Sequence, residues 1–334
     1  MKKTLISPFF TLFSCIFLVL LLFYSKECIT LASNGLLIWY RNMIPSLFPF
    51  MVLSGFIIRS GLSLKIGRYL QPFLGIFFHL PSQMLYVIFM GFLCGFPMGA
   101  KITADMLENR KITEKQGEYL LSFCNNIGPL YMLGYVIPLF EYQNTWKILG
   151  LMYLVPFGYG LFLRYFSIKY SSTLKQLKTC SYTSKNNCAS PSYLICFQQS
   201  LSSSIEQLTI LGGCMVFFNC LLIFPKILEM LLSKTTISSI SPLVTAILST
   251  FIEIGGGLQQ FASVSALIES NSKIIVTNNH IIRLFLPLSL LTFGGASCIT
   301  QTCFILKNTG LKIRTYIKHK LIQACIFIIF LFIF

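Results

Sequence analysis

Residues 91–101 read GFLCGFPMGAK, three glycines and a proline inside a run that is otherwise apolar enough to cross a bilayer. Proline removes a backbone donor and glycine weakens a helix interior, so a helix is expected to break here. Within hydrocarbon a broken backbone is tolerated only where protein buries it or where it lines a cavity. Two readings follow: a kinked spanning helix, or a re-entrant hairpin whose tip is this turn. A second interruption, FIEIGGGLQQF at 251–261, poses the same choice.

The rest of the chain fixes the setting. Of 334 residues 55% are hydrophobic and 11% charged, and the mean hydropathy is +0.74. Apolar stretches near or above spanning length recur from Leu5 to Phe334, which identifies an all-α polytopic membrane protein with no soluble domain left to place. The net charge of +16 sits in short loops between apolar segments, where it orients a membrane protein. No contiguous basic groove with stacking aromatics exists outside those segments, which excludes nucleic acid as a partner. The bilayer is the expected one. The twelve cysteines form no CxxC pair and no Cys/His cluster, so neither a metal nor a cofactor is expected and they read as small core hydrophobes. The N-terminal apolar region is long and lacks a small-x-small cleavage site, so it reads as an uncleaved first helix within residues 1–30.

Full spans are expected at 5–24, 36–58, 119–140, 147–166, 205–226, 284–306 and 321–334, with glycine-broken stretches at 80–108 and 240–268. Lys2 and Lys3 place the N-terminus in the cytoplasm, and the loop carrying Arg59, Lys65 and Arg68 follows them there. The polar loop 167–200 carries Lys169, Lys175, Lys178 and Lys185 without an acid and is also cytoplasmic. Counting back from it puts both ends of 80–108 inside, and counting forward to Lys307, Lys312, Arg314, Lys318 and Lys320 puts both ends of 240–268 outside. Each stretch is then a re-entrant hairpin, one from each face; glycine-kinked spanning helices are the alternative.

The halves match in order. SLFPFMVLSGFI (46–57) corresponds to TILGGCMVFFNCLL (209–222), hairpin to hairpin, and LLSFCNNIGPLYMLGYV (120–136) to LLTFGGASCITQTCFIL (290–306). With an odd number of full spans each, repeats 36–166 and 201–306 are expected to be inverted, with a binding site near the midplane where the tips meet. A basic stretch and a last helix, 307–334, close the chain.

Polar groups in such a middle are expensive and point to function. Glu253, just before the glycine triplet, suits a cation, a proton or a ligand donor, or a carboxyl paired within the bundle. Asn125, Asn126, Gln259, Gln260 and Gln301 both donate and accept, which suits a neutral polar ligand and equally suits helix-to-helix bonding. Lys101 and Asp105, one turn apart, either pair with each other or serve a ligand. Gly95, Pro97, Gly99 and Gly256 shape the tips and free their backbone groups. His79, His280 and His319 have no nucleophile or carboxylate companion, and no phosphate-binding loop appears. An enzyme is therefore not expected; transport would be passive, ion-coupled or partner-driven.

The stretches MIPSLFPFMVLSGFI (43–57), GFLCGFPMGAK followed by ITADM, ITEKQGEYLLSFCNNIGPLYMLG (112–134) and FIEIGGGLQQF resemble the YlbJ family of sporulation integral membrane proteins, within the wider group carrying a nucleoside-recognition or Gate domain. The motif positions are Pro45, Pro49, Gly95, Pro97, Gly99, Lys101, Asn125, Asn126, Gly128 and Pro129. The resemblance implies a role in endospore formation and the spore cortex, in a membrane of the sporulating cell, with no established substrate. It also implies hairpin logic shared with concentrative nucleoside transporters and the membrane part of ferrous-iron transporters. The expected function is movement of a small polar solute or ion through a midplane site. The rival is a non-transporting scaffold that recruits cortex-building machinery, other sporulation membrane proteins among it, through the basic loop Lys169 to Lys185.

Overall fold

The computed structural model describes residues 8–142, 144–166, 192–234, 240–270 and 286–333. Among these every regular element is helical. Helices α1 (Pro8–Phe23), α2 (Ser25–Ile38) and α3 (Ile44–Arg59) lead into α4 (Leu62–Phe78), α5 (Ser82–Cys94), α6 (Met98–Glu108) and α7 (Glu114–Cys124). After a break, α8 (Pro129–Tyr131) and α9 (Ile137–Phe140) flank a wide turn, and α10 (Thr145–Phe166) ends the first half. The second half holds α11 (Tyr193–Cys220), α12 (Ile223–Leu232), α13 (Ser241–Ile252), α14 (Ile254–Ser270), α15 (Leu286–Phe293), α16 (Gly295–Leu306) and α17 (Ile313–Ile333).

Among the described residues five helical stretches are long and apolar enough to cross a membrane: Ser25–Arg59, Glu114–Phe140, Thr145–Phe166, Tyr193–Leu232 and Leu286–Leu306. A sixth arises if α4 and α5, bent by 87° at residues 79–81, count as one. These five contain or nearly coincide with five of the seven expected spans. The other two differ. Helix α1 has 16 described residues, about 24 Å of helix against about 30 Å of hydrocarbon. The expected span 321–334 is the second part of α17, a 21-residue helix that starts at Ile313, so most of the basic stretch 307–320 before it is helical rather than loop. Similarly, Tyr193 to Ser200 belong to α11; residues 167–191 of the basic loop lie outside the described residues, as do Lys2, Lys3 and His280.

Prolines explain the two wide turns. The π-turns Trp39–Met43 and Met132–Val136 each end two residues before a proline, Pro45 and Pro138. A proline ring crowds the carbonyl four residues earlier, and that carbonyl belongs to Arg41 or Gly134, inside the widened turn that makes room for it.

The glycine-broken stretches are helix pairs. Helices α5 and α6 have 13 and 11 residues, about 20 and 17 Å, too short to cross singly. Gly95 makes their turn at φ +79°, where a side chain would be strained. Helix α13, 12 residues long, turns into α14 at extended Glu253 (φ −140°, ψ 123°). Each pair is followed by a broken helix. α7 starts on a capping box, with Thr113 Oγ1 accepting from Gln116 N–H at 3.4 Å and Gln116 Oε1 from Thr113 N–H at 2.7 Å. It stops at Asn125, since Pro129 forces the extended Gly128 out of the helical region. α15 stops at Gly294, φ +100°.

The order two single helices, helix pair, broken helix, long helix therefore runs through α3–α10 and recurs through α11–α17. Helix α4 stands where the sequence analysis placed the loop carrying Arg59, Lys65 and Arg68, and α12 carries the helical stretch past the expected span 205–226 to Leu232. Helix α4 buries Ser63, Gly67, Gly75 and Phe78 and exposes Lys65 and Arg68 beside Tyr69, Phe73 and Ile76. A Cβ on Gly67 would lie 1.9 Å from Ser82 O, so α4 lies directly on the start of α5. One apolar core surrounds the first pair (Met84, Ile88, Met98, Phe123), and another surrounds the second (Met132, Leu258, Phe261, Leu288).

Candidate functional site

The two turns meet at one cavity. Phe96 and Pro97 from the first turn, Gly128 and Tyr131 from the break after α7, Glu253 and Gly255 from the second turn, and Cys298 and Gln301 of α16 line it, with Ser46 of α3 and Met215 of α11 closing the sides. Its volume is about 50 Å³, room for a few waters. The wall is mainly apolar, with a carboxylate, an amide and hydroxyls set into it.

Glu253 is 4% exposed. Its Oε2 accepts from Gly256 N–H at 2.6 Å, so the carboxylate caps the positive end of α14. Tyr135 donates to Gly255 O at 2.8 Å and steadies the same turn. Tyr131 Oη is buried and has no hydrogen-bond partner among the described residues, an unmet donor and acceptor at the cavity wall. Gln301 Nε2 donates to Ser297 Oγ at 3.0 Å.

Behind the cavity the break after α7 is tied to the last helix. Asn125 Oδ1 accepts from Ala100 N–H at 3.2 Å, which holds the start of α6, while Nδ2 donates to Tyr316 Oη at 3.0 Å and Thr302 Oγ1 at 3.4 Å. Asn126 Nδ2 donates to Phe123 O at 2.5 Å, and Oδ1 accepts from Lys320 Nζ at 3.0 Å. Gln323 Nε2 donates to Ser122 O. Lys320, expected as a loop charge that orients the chain in the membrane, is 4% exposed inside α17. His319 is also buried there, with Nδ1 2.6 Å from Tyr159 Oη. Tyr316, Lys320 and Gln323 fall at i, i+4 and i+7, one helix face, and that spacing is the signal that marks them.

The expected site residues therefore divide. Pro97, Glu253 and Gln301 line the cavity; Asn125 and Asn126 brace it from behind. Gly95 and Gly99 lie in the backbone seam between the first pair and the broken helix, where a Cβ would come within 2.1 Å of Gly128 N and 2.2 Å of Cys124 O respectively. Lys101 pairs with Asp105 at 2.7 and 2.8 Å and donates to Ser203 at 3.1 Å, away from the cavity wall. Gly256, Gln259 and Gln260 face a different cleft. Six and seven residues beyond Glu253, the two glutamines stand about 9–10 Å further along α14. No cluster of three or more His, Cys, Asp or Glu side chains with metal-holding geometry occurs among the described residues.

No family model matches the chain, and no solved structure matches it. The sporulation integral membrane protein YlbJ of Bacillus subtilis (strain 168) is 27% identical over 322 residues, which cover 90% of this chain and 76% of that protein. The match runs along nearly the whole length of this chain, whose PSLFPF, GFPMGAK and CNNIGP motifs stand in that order on a multi-pass helical fold, so the chain is similar to a sporulation integral membrane protein.

Proposed function

We propose that the protein moves a small polar solute or ion across a membrane of the sporulating cell, in support of spore cortex formation. In this reading the two helix pairs are re-entrant hairpins entering from opposite faces, the halves are inverted repeats of the Gate kind, and one bundle rocks against the other around the Glu253 cavity. The observation that carries it is the meeting of both turns and both broken-helix segments at one cavity containing a carboxylate. A drug-sized ligand needs roughly 300 Å³ or more. The cavity is far smaller, so the conformation is a closed one and a larger solute enters only when the bundles part.

The test is substitution in a spore-forming host whose own copy has been replaced. Glu253→Gln keeps the volume and removes the charge. At parental protein level it is expected to lower the yield of heat-resistant spores at least about tenfold, and Asn126→Ala to do likewise. Shortening residues 167–191 leaves the yield unchanged. A scaffold that recruits cortex-building proteins through the basic loop gives the opposite pattern, and normal spores from both site variants would sink the transport site.

A further inference from the structure

Four helices turn polar groups toward a second cleft, on the other side of the Glu253 turn from the central cavity. Asn34 of α2, Lys226 and Glu229 of α12, and Gln259, Gln260 and Ser263 of α14 line a space of about 400 Å³. Gln260 Nε2 donates to Glu229 Oε2 at 3.4 Å, and Thr245 Oγ1 reaches the same oxygen at 3.3 Å. The opposite face of α14 is core, with Leu258 and Phe261 fully buried. Charged side chains turned to lipid cost about 2.5–3.5 kcal/mol each at a helix centre on insertion scales. Polar groups from separate helices that converge on one cleft therefore face water, not lipid.

The floor of the cleft is Asn219 of α11, 0% exposed. It is held between two glycines on different helices. A Cβ on Gly35 of α2 would lie 2.7 Å from Asn219 Nδ2, and a Cβ on Gly256 of α14 would lie 2.4 Å from Oδ1. Nδ2 donates to Met215 O at 2.8 Å, whereas Oδ1 has no hydrogen-bond partner among the described residues. A buried acceptor of that kind marks a place for a water or a ligand donor. On its other side Asn219 adjoins the Glu253 carboxylate, and Met215, one turn earlier on α11, already lines the central cavity. One side chain thus stands between a wide polar cleft and the closed site.

We propose that this cleft is the water-filled entrance for a small polar solute carrying hydrogen-bond donors, and that Asn219 is the partition it passes to reach the Glu253 cavity. The inference rests on the reading of that cavity as the transport site. Lys226 and Glu229 balance each other, so the entrance favours neutral or zwitterionic solutes over strongly charged ones. The amides offer hydroxyl, amine or amide groups both donors and acceptors to exchange for water.

Cys298 lines the central cavity and serves as a native reporter. In the full chain with every other cysteine replaced by alanine, reconstituted in nanodiscs, its modification by 2-aminoethyl methanethiosulfonate is followed by mass spectrometry. Asn219→Ala is expected to speed labelling by on the order of tenfold, with Asn219→Ser as the second variant should the first fail to fold. Adding Gln259→Trp, which fills the cleft, is expected to return the rate to the parental one. Equal, rapid labelling of parent and variant would overturn the partition while leaving the transport site standing. Faster labelling that Gln259→Trp does not slow would overturn the cleft as the route. Labelling in no variant until detergent denaturation would mean a cavity sealed from water, and would remove both this inference and the reading it rests on.

Discussion

Asp105→Ala is expected to destabilise the protein by about 3–5 kcal/mol, because it strands a buried ammonium. Lys101 and Asp105 are 5% and 3% exposed, and the ammonium has Ser203 Oγ at 3.1 Å as its remaining hydrogen-bonding contact among the described residues once the carboxylate is gone. Lys101→Met alone leaves the carboxylate buried and is destabilising for the same reason. The double variant Lys101→Met with Asp105→Leu removes both charges, and replacing a buried pair by apolar side chains of similar volume is often neutral or stabilising. It should recover most of the lost stability. Apparent melting in detergent measures each, and with Asp105→Leu alone added as the missing corner of the cycle the non-additivity isolates the pair. Spore yield adds a second reading. If the double variant is stable and functional, Lys101 holds α6 against α11 and touches no solute; a stable but inactive double variant would return Lys101 to the site.

The same pair shows what the sequence carried. Its i,i+4 spacing allowed a mutual pair or a ligand contact, and in the structure the two side chains pair. The interrupted stretches were legible to within a few residues: the first turn falls at Gly95 to Pro97 as expected, whereas the second falls at Glu253, ahead of Gly255, Gly256 and Gly257, which lie inside α14. Helix α4 was missed because hydropathy finds spans by length, whereas a helix with exposed charges shows itself only by period. Lys320 was misplaced for a different reason. A lysine near the end of an apolar segment satisfies the charge rule equally well in a loop or turned into the bundle, and only Asn126 opposite it decides. Gln259 and Gln260 were assigned to the Glu253 site by nearness in sequence, but two turns of helix carry them to the neighbouring cleft. Asn219 carried no local signal; its meaning comes from Gly35 and Gly256, on two other helices.

Gly99→Ala is expected to deplete the folded protein almost completely, an effect beyond the 4–5 kcal/mol that marks exceptional substitutions. The added Cβ would lie 2.2 Å from Cys124 O and 2.7 Å from Asn125 Cα. Both are backbone atoms, so no side chain can swing aside, and the first helix pair must separate from the broken helix by on the order of 1 Å to restore ordinary contact. That displacement stretches the bond from Ala100 N–H to Asn125 Oδ1, 3.2 Å long at rest, past useful hydrogen-bonding range. Gly91 and Gly128 lie on the same seam, with Cβ positions 2.6 Å from Cys124 O and Cys94 O respectively. The first turn therefore reaches the cavity through backbone contact, which larger residues along this line would prevent. Gly158→Ala is the control: nothing lies within 4 Å of its Cβ position in α10, and the better helix former should be neutral or stabilising by up to about 1 kcal/mol. Size-exclusion profiles and apparent melting of the two variants, side by side, decide the matter. A Gly99→Ala protein that elutes and melts like the parent would show that the seam yields, and that the turn at Pro97 is not held at the cavity by the contact described.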